Sequence, residues 1–248
     1  MAAIKNIRLD LQYDGTLYHG WQRQKSDPTI QAVLEDKIQI MTNESVTLHG
    51  SGRTDAGVHA LNQVCNFNTS SRLDPPALRK GLNSLLPQDI HITDAQYVPS
   101  EFHSRYSARA KTYEYRILNR PEPDIFSARY LWHIQDPLKR SEMAKCLSSL
   151  LGEQDFSSFM STGSAAKSPV RNMIGAEIEI HDSHLLSFYF KANGFLRHMV
   201  RNIVGSVVEV GRGKTGVDAF EKILLARDRT TAGVKAPPQG LFLVEVKY

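Results

Sequence analysis

From residue 7 to residue 13 the side chains alternate strictly. Ile7, Leu9, Leu11 and Tyr13 form one set, and Arg8, Asp10 and Gln12 the other. A period of two puts the first set on one face of a strand and the second on the opposite face, the pattern of a half-buried strand. The run stops at Asp14-Gly15, a turn pair. A strand with one apolar face needs strand neighbours and a covering layer, so the rest of the chain must supply both. Ile30, Val33, Leu34, Ile38 and Met41 recur at helical spacing after Thr29, a residue type suited to the N-cap. Val46-Thr47-Leu48 predicts a short strand. Residues 60–69 predict a longer one, with Leu61, Cys65 and Phe67 as apolar positions. A short helix is expected between Pro76 and Pro87, and a strand over Ile90–Val98.

The second half repeats this order. A strand over Lys111–Leu118 puts Tyr113, Tyr115 and Ile117 on one face. Pro137 opens a helix that runs through Leu147 and Leu150 and stops at Gly152. Strands are expected over 172–180 and 185–192. The turn Asn193-Gly194 then leads into a helix from about Phe195 to Val210. A further helix fits Asp218–Arg227, and Leu241–Val246 closes the chain as a strand. Strands joined by hairpin-like links and grouped with helices predict an α+β protein. We expect two similar subdomains with antiparallel or mixed sheets, one over residues 1–105 and the other over 106–248.

Length and composition fit that reading. A chain of 248 residues makes one large domain or two small ones. No run approaches the ~18 uninterrupted apolar residues of a membrane span, and the first residues lack the apolar core of a signal peptide. Two cysteines, Cys65 and Cys146, cannot build a disulfide framework or a four-thiolate zinc site, so the expected compartment is the reducing cytoplasm. The net charge, 30 − 26 = +4, permits a polyanionic partner without demanding one. The bases are grouped. Arg105, Arg109, Lys111, Arg116 and Arg120 lie in one segment, and Lys191, Arg197, Arg201, Arg212 and Lys214 in another, so the two can face one groove.

Residues 49–60 read His-Gly-Ser-Gly-Arg-Thr-Asp-Ala-Gly-Val-His-Ala between two expected strands. Gly50, Gly52 and Gly57 allow positive φ or close backbone approach. Around them sit Arg53, Asp55, His49 and His59. A glycine-rich loop with one central acid is costly to order, which points to a functional site. Asp55 alone fits two readings, an Asx-turn that caps its own backbone or a catalytic acid. A metal reading through His49, Asp55 and His59 matches no known zinc or calcium spacing. A phosphate cradle fails because its lysine is missing and a strand follows. Arg197 and Arg201 fit either a solvated helix face or a charged border of the core. Tyr113 fits either a core position or a site.

Gly52-Arg53-Thr54-Asp55-Ala56-Gly57-Val58-His59-Ala60 resembles the signature of the tRNA pseudouridine synthase A family. Other blocks follow in family order. Tyr13-Asp14-Gly15 with Gly20-Trp21-Gln22-Arg23-Gln24 is similar to the family's opening, and Lys111-Thr112-Tyr113-Glu114-Tyr115 to its central strand. Asp155-Phe156-Ser157-Ser158-Phe159, Gly194 through Asn202, and Gly240-Leu241 resemble its later blocks. The resemblance implies the pseudouridine synthase fold, with a central positively charged active-site cleft flanked by the two subdomains. It implies isomerisation of uridine to pseudouridine at positions 38, 39 and 40 of the tRNA anticodon stem-loop, without cofactor or metal.

By the same resemblance Asp55 is the catalytic nucleophile and Arg201 the cation that pairs with it, with Arg197 one turn earlier on the same helix face. Tyr113 stacks on the target base and can act as a base toward the C5 proton, and Leu241 forms an apolar floor under the uracil. Arg53 orders the loop or steers phosphate. Arg23, Arg105, Arg109, Lys111, Lys191 and Arg197 are the expected RNA-facing bases, while His49, His59, His198 and Trp21 support the loop or the RNA. The family is homodimeric, two subunits gripping one tRNA. The rival readings are a non-catalytic RNA-binding protein on the same scaffold and a metal-dependent hydrolase.

Overall fold

A computed structural model of the chain describes residues 3–164 and 166–248. The elements fall into two compact units. The first runs to Arg109 and is rejoined by Phe242–Tyr248; the second is Ala110–Leu241. In the first unit β1 (Lys5–Tyr13) is followed by α1 (Ile30–Thr42), β2 (His49–Gly50), β3 (His59–Thr69), α2 (Pro75–Leu85) and β4 (Ile90–Val98). The second holds β5 (Ala110–Asn119), β6 (Trp132–Ile134), α3 (Arg140–Ser148), β7 (Gly152–Asp155), β8 (Val170–Ile180), β9 (Leu185–Ala192), α4 (Met199–Gly211) and α5 (Val217–Ala226). The chain closes on β10 (Leu241–Lys247). Among the described residues no helix is long and apolar enough to cross a membrane.

In the first unit β1 lies between β3 and β4 and is antiparallel to both, in register at Leu9↔Cys65 and Leu9↔Ala95. The alternation of residues 7–13 is realised, with Ile7, Leu9, Leu11 and Tyr13 buried. The closing strand, expected with the second half, pairs in parallel with β3 at Phe242↔His59 and Leu243↔Ala60. This sheet is therefore mixed. Thr29 caps α1 by accepting the Ala32 N–H, and Ile30, Leu34 and Ile38 are fully buried.

Residues 46–48 do not form the expected strand. The Glu35 carboxylate accepts the Leu48 N–H at 2.9 Å, and the Gln31 side chain donates to the Leu48 carbonyl at 3.2 Å, so α1 takes groups a ladder would use. The strand starts instead at His49, paired with Asn66. Of the apolar positions expected on β3, Cys65 and Phe67 are fully buried, whereas Leu61 is 38% exposed.

The second unit is built on β5, β9, β8 and β7 paired antiparallel in that order, with β6 added parallel to β5. Tyr113, Tyr115 and Ile117 are all buried on β5. The third helix begins at Arg140, not Pro137, because Lys139, at φ −76° and ψ 81°, stands outside the helical conformation; the Leu138 and Lys139 amides donate to Asn119 Oδ1 and the Gly211 carbonyl. The helix expected from Phe195 begins only at Met199. His198, at φ 62°, is left-handed and cannot continue a right-handed helix. From there α4 is buried on nearly every face, and a Cβ at Gly205 would stand 1.7 Å from the Val234 carbonyl oxygen. The backbone of residues 232–236 thus packs directly on this helix.

Candidate active site

The segment from Ser51 to Val58 joins β2 to β3 and is fastened through its main chain. The Ser51 amide donates to Val64 (2.7 Å), Trp21 donates to the Thr54 carbonyl (3.1 Å), and Gly57 donates to Tyr18 (3.2 Å). The turn at its tip is closed by the Val58 N–H on the Asp55 carbonyl at 3.1 Å, with Gly57 at φ 74° supplying the positive φ that such a turn requires. The turn is thus closed between main-chain groups. Gly15 and Gly20 let the preceding segment press against it: a Cβ at Gly15 would be 2.0 Å from the Val58 oxygen. This explains why Tyr13-Asp14-Gly15 and Gly20-Trp21 accompany the loop in sequence.

Beneath the turn lies a buried polar chain. Tyr13 Oη is 2.8 Å from Thr54 Oγ1, and Gln63 Nε2 donates to the Gly52 carbonyl at 2.9 Å and reaches Tyr13 Oη at 3.4 Å. Ser51 Oγ donates to Gln63 Oε1 at 2.6 Å. All four side chains are buried. Burial pushes the Tyr13 phenol up to about 12, so at neutral pH it is a neutral hydrogen-bonding group. With Thr54 turned inward, Arg53 is exposed and Asp55 half-buried. Sequence reasoning missed Gln63 and the role of Tyr13; the signal was a long polar side chain at an inward strand position.

The two histidines of the segment diverge. His59 is 2% exposed, stacks on Phe242 at 4.7 Å and 22°, and has Nδ1 3.1 Å from both Gly15 N and Asp14 Oδ1. His49 is exposed and lies beside the His103 ring. Among the described residues no group of three His, Cys, Asp or Glu is placed to hold a metal ion. Trp21, 2% exposed, is a packing residue against Gly50.

In the second unit Tyr113 is 7% exposed and meets Phe195 edge-on at 4.9 Å. Arg201 is 6% exposed on α4; its Nε donates to the Ala236 carbonyl at 2.8 Å, and the Ala236 N–H returns to the Arg201 carbonyl at 3.0 Å. The solvated-face reading is thus excluded for Arg201. Arg197 is not on that helix. It is exposed in the turn before it and donates to the Thr162 carbonyl at 3.0 Å, so the shared helix face does not exist. The neighbouring Tyr115 donates to the Pro237 carbonyl at 2.8 Å, and burial holds its phenol well above the usual range against the opposing charge of Arg201. Leu241 is buried at the head of β10.

The expected RNA-facing bases differ in availability. Arg53, Arg105, Arg109 and Arg197 are exposed, and Lys111 and Lys191 half-buried. Arg23 pairs at 2.6 Å with Glu35 and at 2.6 Å with Asp36 of α1, so its charge is neutralised within its own unit.

A family model described as tRNA pseudouridine synthase matches residues 11–107 and 147–248. The chain is 45% identical over 245 residues to the tRNA pseudouridine synthase A of Thermoanaerobacter sp. (strain X514), covering 99% of this chain and 100% of that protein. It is 43% identical to the tRNA pseudouridine synthase A of Acetivibrio thermocellus and 40% identical to that of Ruminiclostridium cellulolyticum, with the same coverage. The chain belongs to the tRNA pseudouridine synthase family, within its synthase A group.

Proposed function

We propose that this isomerase, which makes pseudouridine in tRNA, acts at positions 38, 39 and 40 of the anticodon stem-loop with Asp55 as its nucleophile. The observation that carries the assignment of Asp55 is the turn itself. Main-chain bonds and a buried polar chain hold the segment rigid and present Asp55, half-buried, at its tip. The overall change balances on the nucleoside alone. The N1–C1′ bond breaks, the uracil turns, C5 bonds to C1′, C5 loses its proton and N1 gains one. An ionised aspartate suits this path by attacking the sugar or the ring, or by stabilising charge at C1′.

In this reading Arg201 is the counter-charge of Asp55. Tyr113 stacks on the everted uracil, and Leu241 lies under it. Positions 39 and 40 are paired in a stem, so the base must leave the stack before it can react. Grip on the RNA then comes from phosphate and shape. The exposed Arg53, Arg105, Arg109 and Arg197 supply charge for a basic cleft. We place the activity in the cytoplasm, in keeping with two free, buried cysteines. The working form is a homodimer, to be checked by sedimentation.

The decisive experiment follows hydrogen release from C5-labelled tRNA by the wild type and by Asp55→Asn. We expect turnover to be abolished and tRNA affinity to stay within a few fold. Wild-type turnover by the variant would remove Asp55 from the chemistry. A wild type that binds tRNA without releasing label would favour the non-catalytic RNA-binding reading.

A further inference from the structure

A ladder of rings stands on the surface of the first unit. His49 lies 4.8 Å from His103, centroid to centroid, at 33°, and His103 lies 4.4 Å from Tyr106 at 43°. Tyr106 ends the ladder and is 77% exposed. The guanidinium of Arg105 reaches over the Tyr106 ring at 5.7 Å, and Arg105 and Arg109 are both exposed. Glu101 is the one acid between residues 99 and 109.

The frame beneath the rings is rigid. Asn6 Nδ2 donates to the carbonyls of Pro99 (3.0 Å) and Phe102 (2.9 Å). The Ser104 amide donates to Asn66 Oδ1 at 2.9 Å, the Ser104 hydroxyl to the His49 carbonyl, and Tyr248 to the Ser104 carbonyl at 2.8 Å. His103 and Ser107 exchange two bonds, at 3.1 and 2.9 Å. The Arg105 amide donates to His103 Nδ1 at 3.1 Å, fixing that ring as an acceptor on this side. Burial, aided by His49 and Arg105, holds His103 below its usual range, so the ring is neutral and flat contact costs no charge desolvation.

What sets Tyr106 apart is its company: an exposed ring, in contact with a second ring on a well-anchored loop and with a guanidinium beside it. Rings flanked by arginines match what single-stranded RNA offers, π faces separated by phosphates. We propose that the His49–His103–Tyr106 ladder is a stacking platform for a tRNA nucleobase that has left the helical stack, with Arg105 and Arg109 on its phosphates. His49 begins β2, the strand that leads directly into the Asp55 turn, so platform and turn are parts of one rigid stretch of chain. The inference rests on the tRNA substrate proposed above.

The test uses the full chain and an unmodified tRNA transcript. Tyr106→Leu should weaken binding about tenfold, within the range of one base–aromatic stack. Tyr106→Phe and Tyr106→Trp should bind within twofold of wild type. Thermal stability should be unchanged in all three, because the ring is exposed. Irradiation of an anticodon stem-loop carrying 5-iodouridine should cross-link to Tyr106 or His103. Leucine binding as tightly as tyrosine, phenylalanine losing as much as leucine, or cross-links elsewhere only would each overturn the platform. Wild-type formation of pseudouridine in the same transcript is measured in parallel. Its absence would overturn the function and not the stacking result.

Discussion

Two arginines near one another in sequence have opposite fates. Arg201 is buried, with Nε on the Ala236 carbonyl, while Arg197 is exposed and reaches Thr162. Arg201→Leu should therefore do two things at once. It leaves the Ala236 carbonyl unpaired in a buried place, costing about 1–3 kcal/mol of stability. It also removes the proposed counter-charge of Asp55, so turnover should fall by at least about a hundredfold while tRNA affinity changes little. Arg201→Lys should not restore turnover, because an ammonium cannot reproduce a guanidinium held through Nε. Single-turnover rates and binding measured on the same samples decide; a lysine variant with full activity would refute the pairing. At this scale the sequence was informative only in part. Asp55 and Arg201 stood out through the blocks around them. The pairing of Arg23 with Glu35 and Asp36 could not be read locally, because it depends on how the segment before α1 folds back onto that helix.

Among the elements, the strands were legible and the joints between them were not. Residues 7–13 announced β1 because one face is buried and the other is not, and alternation records that difference directly. Residues 46–48 looked the same locally, but side chains of α1 had taken the Leu48 backbone groups. The start of α4 was hidden by a left-handed His198, a conformation that periodicity does not encode. The clamp under the Asp55 turn was equally invisible, since Tyr13, Ser51, Thr54 and Gln63 come from three different segments. Its energetics can be tested. Gln63→Leu removes the bonds of Gln63 to the Gly52 carbonyl and the Ser51 hydroxyl and should cost about 2–4 kcal/mol. Tyr13→Phe is milder, about 1 kcal/mol at neutral pH, and should lower kcat with KM for tRNA nearly unchanged, since it loosens the turn and not the RNA surface. Alkali gives an independent readout. The Tyr13 pKa is raised in the fold to about 12 from its ordinary value near 10, so its contribution is complete below pH ~10 and lost as pH rises through ~12. Denaturant melts across that window should show a steeper loss for the wild type than for Tyr13→Phe. Identical slopes would mean that the phenol is not held as described.

For the whole molecule, charge decides what can be expected. A net charge of +4 is too small to draw a polyanion by itself, so affinity must come from where the bases are exposed. Arg53, Arg105 and Arg109 are exposed in the first unit and Arg197 in the second, whereas Arg23 is neutralised and Arg201 buried. If four such bases each displace a counterion from phosphate, affinity should fall roughly a hundredfold between 50 and 200 mM salt. Stacking on Tyr106 carries no such dependence. Tyr106→Leu should therefore shift the line of log Kd against log salt without tilting it, whereas Arg105→Gln or Arg109→Gln should each reduce its slope by about one contact. Filter binding of a single tRNA across that salt range separates the two effects. A flat line for the wild type would show that exposed charge does not govern the grip, and a Tyr106 variant that changes the slope would show that its ring acts through phosphate and not through a base.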